Sequence, residues 1–130
     1  MANKATEYLQ KVGTFFIATT EGDQPRVRPF GAVGEFDGKT YICLNNTKKV
    51  FAQLVANPKI EIVGQYEGGN WVRIWAKAVR DDRNEAREKM LELNEGLRGM
   101  YKADDGIYEV FYLDDAHGKA ESFAGSIEEF

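Results

Sequence analysis

The sequence predicts a mainly β, antiparallel domain, and three observations carry that prediction. β-branched and aromatic runs, the first being Thr14-Phe15-Phe16-Ile17-Ala18-Thr19-Thr20, recur along the chain. Turn signals such as Glu21-Gly22-Asp23 and Asp37-Gly38 separate the early runs by hairpin distances. With 130 residues and 14.7 kDa, the chain has the length of one hydrophobic core, so residues 1–130 are read as a single domain.

Lys4 to Val12 puts Tyr8, Leu9 and Val12 on one face of a short helix that Gly13 ends. The strand Thr14–Thr20 follows, then a second from Pro25 to Gly34, whose prolines suit an edge or a bulge and whose Arg26 and Arg28 share a face. Thr40–Leu44 is the third strand. Asn45-Asn46 breaks it, and Thr47 can cap a helix from Lys48 to Asn57 that turns Val50, Phe51, Leu54 and Val55 inward before Pro58. Ile60–Tyr66 and Trp71–Val79 are a fourth and fifth strand about the turn Glu67-Gly68-Gly69-Asn70. Ala86, Met90, Leu93 and Leu97 step at helical spacing through a charged helix from Asp82 to Leu97. Ile107–Leu113 is the sixth strand, and residues 114–130 are left without an assigned conformation. Six antiparallel strands with three helices are expected to close as a small barrel, which removes exposed sheet edges.

Composition narrows the function classes. Forty-three per cent hydrophobic and 29% charged residues describe a packed globular chain. A net charge of −4 argues against a partner that needs broad phosphate neutralisation, such as nucleic acid. Cys43 is the only cysteine, so neither an intrachain disulfide nor a cysteine-built zinc site can form, and a reducing compartment fits. Met1 to Lys11 lacks the apolar run of a signal peptide and no stretch has the length of a membrane span, so a cytoplasmic location with no membrane association is expected.

The first chemical constellation is Arg26-x-Arg28-Pro29 on one strand with Asn45-Asn46-Thr47-Lys48-Lys49 at a strand-to-helix junction. A helix N-terminus supplies unpaired N–H groups and a positive dipole end. A hydroxyl and several cations beside it make an anion site, for which a phosphate monoester is the natural guest. The same residues admit another reading, in which Lys48 and Lys49 are solvated and the arginines pair with carboxylates.

Phe15-Phe16-Ile17-Ala18-Thr19, Pro25-Arg26-Val27-Arg28-Pro29, Tyr41-Ile42-Cys43-Leu44-Asn45 running into Thr47-Lys48-Lys49-Val50, and Asn57-Pro58-Lys59-Ile60-Glu61 form an ordered set. In this order they resemble the core of the pyridoxamine 5'-phosphate oxidase-like, FMN-binding split-barrel family. The resemblance implies FMN held by a strand arginine, the third-strand backbone and the hydroxyl-plus-basic cluster opening the helix. Matched by position these are Arg28, Ile42, Cys43, Thr47, Lys48 and Lys49, with Arg26 and Asn45 as further candidates. It also implies a homodimer with FMN at the subunit interface, where Trp71 and Gln65 are candidates to cover the ring. Residues 114–130 contain neither the tryptophan nor the arginine with which full-length oxidases complete the vitamin and flavin sites. The resemblance therefore does not extend to oxidation of pyridoxamine phosphate. Size and the tail Glu121-Ser122-Phe123-Ala124-Gly125 are similar to the short general-stress-protein-like branch, which leaves the substrate unnamed.

The remaining candidates have structural readings. His117 is the only histidine, which removes a histidine metal cluster and reads as a surface-loop residue. Cys43 in a buried strand reads as a small apolar residue, Trp71 and Trp75 as core or interface, and Asp81-Asp82 and Asp104-Asp105 as caps. No metal site is expected. Two expectations stand at this level: an FMN-dependent oxidoreductase or reductase of a small molecule, and a flavin-binding module that carries or senses electrons without turnover. A third keeps the fold and binds haem, a deazaflavin or nothing, and a single histidine weakens its haem form.

Overall fold

The computed structural model describes residues 3–130. Helix α1 spans Lys4–Val12. Asn3 caps it by accepting from the N–H groups of Ala5 and Thr6, and Gly13 ends it in the left-handed region with its N–H on the Leu9 carbonyl. Eight strands follow: β1 Phe15–Glu21, β2 Gln24–Phe30, β3 Val33–Phe36, β4 Lys39–Asn45, β5 Lys59–Tyr66, β6 Asn70–Asp81, β7 Tyr108–Ser122 and β8 Gly125–Glu129. Helix α2, Lys49–Ala56, follows β4, and α3, Asn84–Leu93, follows β6 with a 3-10 turn at Glu95–Gly99.

All the strand pairs are antiparallel. The sheet order is β2-β1-β5-β6-β7-β4-β3, with β8 on β7. Consecutive strands β2 and β3 thus occupy opposite ends of the sheet, joined only through Gly31 and Ala32 and by no ladder. The sheet therefore does not close into the barrel that the sequence predicts: β2 and β3 remain free edges, linked only by the covalent corner at Gly31-Ala32 and split along that seam. Pro25 and Pro29 lie in the edge strand β2, where a missing N–H on the free side costs no sheet bond.

The mainly β split-barrel class holds, and the strand count rises from six to eight through one break and one added strand, while the sixth strand lengthens. The expected strand 25–34 breaks at Gly31-Ala32 into β2 and β3. The sixth strand runs on to Ser122 because its inward positions there are Gly118 and Ala120, residues too small to give an apolar signal. The tail is not irregular: it folds back as β8, and Phe130 exchanges two backbone hydrogen bonds with Gly118 while its ring stacks on Tyr8. The expected helix 82–97 also divides, because Asn94 leaves helical geometry at φ −131° and its side-chain amide donates to the carbonyls of Val33 and Met90.

One core fills the barrel with Leu9, Phe15, Ile17, Ile42, Ile62, Val72, Ile74 and Phe111, all inaccessible or nearly so. A second joins Met90 and Leu91 of α3 to Tyr41, Tyr108 and Val110 outside the barrel. At Gly64 a Cβ would lie 2.3 Å from Val12 Cγ1, so α1 seats on β5 only because that position has no side chain. Among the described residues no helix is long and apolar enough to cross a membrane.

Candidate anion-binding cleft at the barrel seam

A cleft of about 910 Å³ opens where β2 meets the β4–α2 junction, near the upper end of the range for small-molecule sites. Arg26, Arg28, Lys48 and Lys49 line one end. Cys43, Leu44 and Asn45 form the floor, and residues 94–97 with Met100, Tyr101 and Tyr108 form the far wall.

The basic end is built on alternation. Arg26 and Arg28 sit two residues apart and pair with Thr19 and Ile17 of β1, on the inward side of the strand pair. Their partners differ. Arg26 donates through Nε (3.1 Å) and Nη2 (2.9 Å) to Glu21 Oε1, an exposed ion pair that lowers the Glu21 pKa. Arg28 meets no carboxylate: Nη1 donates to the Ile17 carbonyl (3.0 Å) and to Thr19 Oγ1 (2.9 Å), and Nη2 to Gln53 Oε1 (2.6 Å). Burial and the neighbouring Arg26 charge lower its pKa. Of the two readings open in the sequence, carboxylate pairing therefore describes Arg26 and not Arg28.

Lys48 and Lys49 are exposed and form no ion pair among the described residues. The N-cap of α2 is Lys48, one residue after the expected Thr47, and no side chain caps the helix. The Thr47 hydroxyl instead donates to Asn45 Oδ1 (2.6 Å), which also accepts the Thr47 N–H (2.8 Å). Asn45 thereby closes the turn that feeds α2, and its Nδ2 donates to Tyr101 Oη across the cleft (3.1 Å). In the first turn of α2 the Phe51 N–H donates to the Lys48 carbonyl (3.2 Å), and the N–H groups of Lys49 and Val50 are left open beside the two lysines.

Cys43 faces the cleft. Burial pushes its thiol pKa up to about 12 and the Tyr108 hydroxyl donates to its sulfur (3.2 Å), so it is neutral and a poor nucleophile. Tyr108 in turn packs against Tyr101 with ring centroids 5.3 Å apart. Ile42 points into the barrel core, fully buried, and only its strand neighbours reach the cleft.

A family model described as pyridoxamine 5'-phosphate oxidase matches residues 1–110. The chain belongs to the pyridoxamine 5'-phosphate oxidase family. A NimC/NimA family protein from Clostridium acetobutylicum is 49% identical, with 98% of this chain and 90% of that chain covered at a TM-score of 0.93. Two other structures share the fold at 14% identity each. One is a heme-binding protein from Mycobacterium smegmatis, with a TM-score of 0.75 over 100% of this chain and 58% of that one. The other is a FAD-binding protein from Mesorhizobium loti, with a TM-score of 0.62 over 92% of this chain and 94% of that one. No curated protein matches the chain.

Within the family frame, the structure gathers Arg26, Arg28, Cys43, Asn45, Lys48 and Lys49 around one cleft and leaves Ile42, Thr47 and Trp71 out of its lining. Trp71 lies on the outward face of β6, opposite Gln65 of β5 and Glu121 of β7, with its ring against Phe123 (5.3 Å). Trp75 is on that same face and 44% exposed, so it is not a core residue. His117 stands opposite it on β7, on an exposed strand rather than in a loop, with Nε2 3.1 Å from Asp115 Oδ1. Asp81 and Asp105 do act on backbone N–H groups at element ends, and no metal-ligand cluster exists among the described residues.

Sequence reasoning missed Gln53 and the wall at residues 94–101. Gln53 was hidden because it falls between the apolar positions of α2 and is buried for its amide rather than for hydrophobicity. The Asn94-Glu95-Gly96 triplet was the available signal for the break that brings the wall to the cleft.

Proposed function

We propose that this chain binds FMN in the seam cleft, with the phosphate at the basic end, as one half of a homodimer that reduces or oxidises a small molecule. The observation that carries the reading is Arg28. It is a partly buried guanidinium held only by neutral acceptors, two of its N–H groups unused, beside two unpaired lysines and an uncapped helix N-terminus. A dianionic phosphate monoester completes that set.

The chain's own groups would then bind and orient. Arg28, Lys48, Lys49 and the first N–H groups of α2 take the phosphate, Asn45 and Thr47 shape the loop, and Arg26 stands by with Glu21. The strand backbone about Ile42, Cys43 and Leu44 borders the ring. The flavin would supply the redox chemistry, since Cys43 is neutral and the histidine lies outside the cleft.

The dimer has its own support. Outward residues Val27, Ala18, Glu61, Trp75 and His117 follow one another across β2, β1, β5, β6 and β7, and Pro29, Phe16, Val63 and Arg73 run beside them. Val27, Phe16 and Trp75 are 65%, 43% and 44% exposed, large apolar side chains set about the Glu61–Arg73 ion pair on a mixed face of the kind that marks an interface. Val27 and Pro29 also line the cleft, so a second copy on this face would wall the flavin and bring its Trp71 and Gln65 near.

The first experiment is an absorption spectrum of purified protein before and after incubation with FMN and desalting. Retained flavin bands are expected; a colourless protein that takes up no FMN overturns the reading. Bleaching by a nicotinamide donor, followed by reoxidation with a candidate acceptor, separates an enzyme from a flavin carrier without turnover.

A further inference from the structure

Gln53 is buried to 5% exposure, yet no carbon-packing role explains it. Its Oε1 accepts from Arg28 Nη2 (2.6 Å) and from Thr19 Oγ1 (2.5 Å), and its Nε2 donates toward Glu21 Oε2 (3.4 Å). The partners fix which way the amide points, since a carboxylate can only accept and a guanidinium can only donate. Gln53 therefore reaches from α2 across to β1 and β2 and stands between the Glu21 carboxylate and Arg28, among the described residues the one arginine free of carboxylates.

We infer that Gln53 is a positioning and specificity-determining residue, whose neutral amide holds Arg28 toward the cleft without cancelling its charge and so reserves the basic end for a phosphate dianion. The inference rests on the anion-site reading above and adds what selects the ligand's charge.

The physical logic is a comparison between two side chains of the same shape. A glutamate at position 53 would keep the acceptor for Arg28 and Thr19 but turn a neutral contact into an ion pair of low dielectric. Repulsion from Glu21 would press that carboxylate further onto the guanidinium. Arg28 would then carry no surplus charge, and an entering phosphate would meet two carboxylates within reach of its oxygens. The amide avoids this. It satisfies one N–H of Arg28, Thr19 and Ile17 satisfy two more, and the remaining two stay available in a fixed plane, the geometry with which arginine grips phosphate. An apolar residue at 53 would have the opposite fault: Arg28 would keep its charge and lose its aim.

The test uses Gln53→Glu and Gln53→Met with two separate probes. Inorganic phosphate is the first, read as the concentration dependence of Tm; FMN against riboflavin is the second, read by fluorescence quenching. Phosphate is expected to stabilise the wild type, and Gln53→Glu is expected to weaken phosphate and FMN about ten-fold or more. Riboflavin binding should be unchanged, a pattern that general loosening of α2 would not give. Gln53→Met should show the same split between FMN and riboflavin, and it decides the matter if the glutamate variant does not fold. Equal phosphate affinity in wild type and variants, or no phosphate response in the wild type, overturns the inference. Phosphate discrimination with no FMN uptake by the wild type would sink the flavin reading and leave the role of Gln53 intact.

Discussion

Arg80 of β6 and Glu109 of β7 form a two-pronged ion pair, with Nε 3.0 Å from Oε1 and Nη2 3.0 Å from Oε2. Glu109 also accepts from Asn46 (3.0 Å), the residue after β4, and from Arg87 of α3 (3.3 Å), so one buried carboxylate ties the second core to the loop leading into the cleft. Burial raises its pKa and the bonds from Arg80, Asn46 and Arg87 more than reverse that; the net shift is downward. At the end of β6, the Arg83 guanidinium holds Asp81 well below the usual carboxylate range, helped by the Tyr41 hydroxyl.

Both groups have folded pKa values below their ordinary ones, near 3.8 for Asp81 and 4.5 for Glu109. The unfolded chain therefore binds more protons in this range, and stability should be full above those ordinary values and fall as pH drops through them. Urea unfolding between pH 7 and pH 3 is expected to show this slope, flattened in Asp81→Asn and in Glu109→Gln. A slope unchanged in both variants would assign the acid sensitivity elsewhere.

Lys48→Ala combined with Lys49→Ala should weaken FMN by roughly ten-fold or more while sparing riboflavin, because only FMN carries the phosphate that those side chains would meet. Both lysines are exposed and pair with nothing described, so Tm should move little. Equal loss of both ligands would remove the lysines from the anion site.

Trp75→Glu removes a large exposed apolar side chain from the outward face, where it stands among Glu61, Arg73, Lys77 and His117, and puts a charge in its place. A monomeric mass by light scattering at micromolar concentration is expected for the variant and a dimer for the wild type, with the fold kept because Trp75 is half-exposed. Wild-type monomer at that concentration would refute the pairing.

Gly64→Ala should destabilise the domain by about 1–3 kcal/mol, the usual cost of overpacking. Its Cβ would meet Val12 Cγ1 at 2.3 Å. Val12→Ala in the same chain should restore part of the loss, which a thermal melt of the double variant measures.

The sequence exposed most of the sheet, because β1, β4, β5 and β6 alternate or carry β-branched residues. What stayed hidden had specific causes. Gly118 and Ala120 are inward-facing yet too small to register as apolar, so β7 looked short and β8 was missed. Gly31-Ala32 breaks a strand with no turn dipeptide stronger than its neighbours. At the cleft, Arg26, Arg28, Lys48 and Lys49 were readable from spacing alone. Their division into a paired arginine and an unpaired one was not, since it depends on Gln53 arriving from a different element. The aromatic wall at Tyr101 depends likewise on Asn94 bending the chain through contacts about sixty residues distant.

The corner at Gly31-Ala32 leaves β2 bonded along one side only, at the point where the sheet's two ends come nearest. Such an edge can peel from β1 without unravelling the rest, and a molecule lodged against both β2 and β4 would act as a stitch across the gap. Occupancy would then be written into the backbone itself: amide hydrogens of β2 and β4, remote from one another in the ladder, should slow their exchange together as the cleft fills.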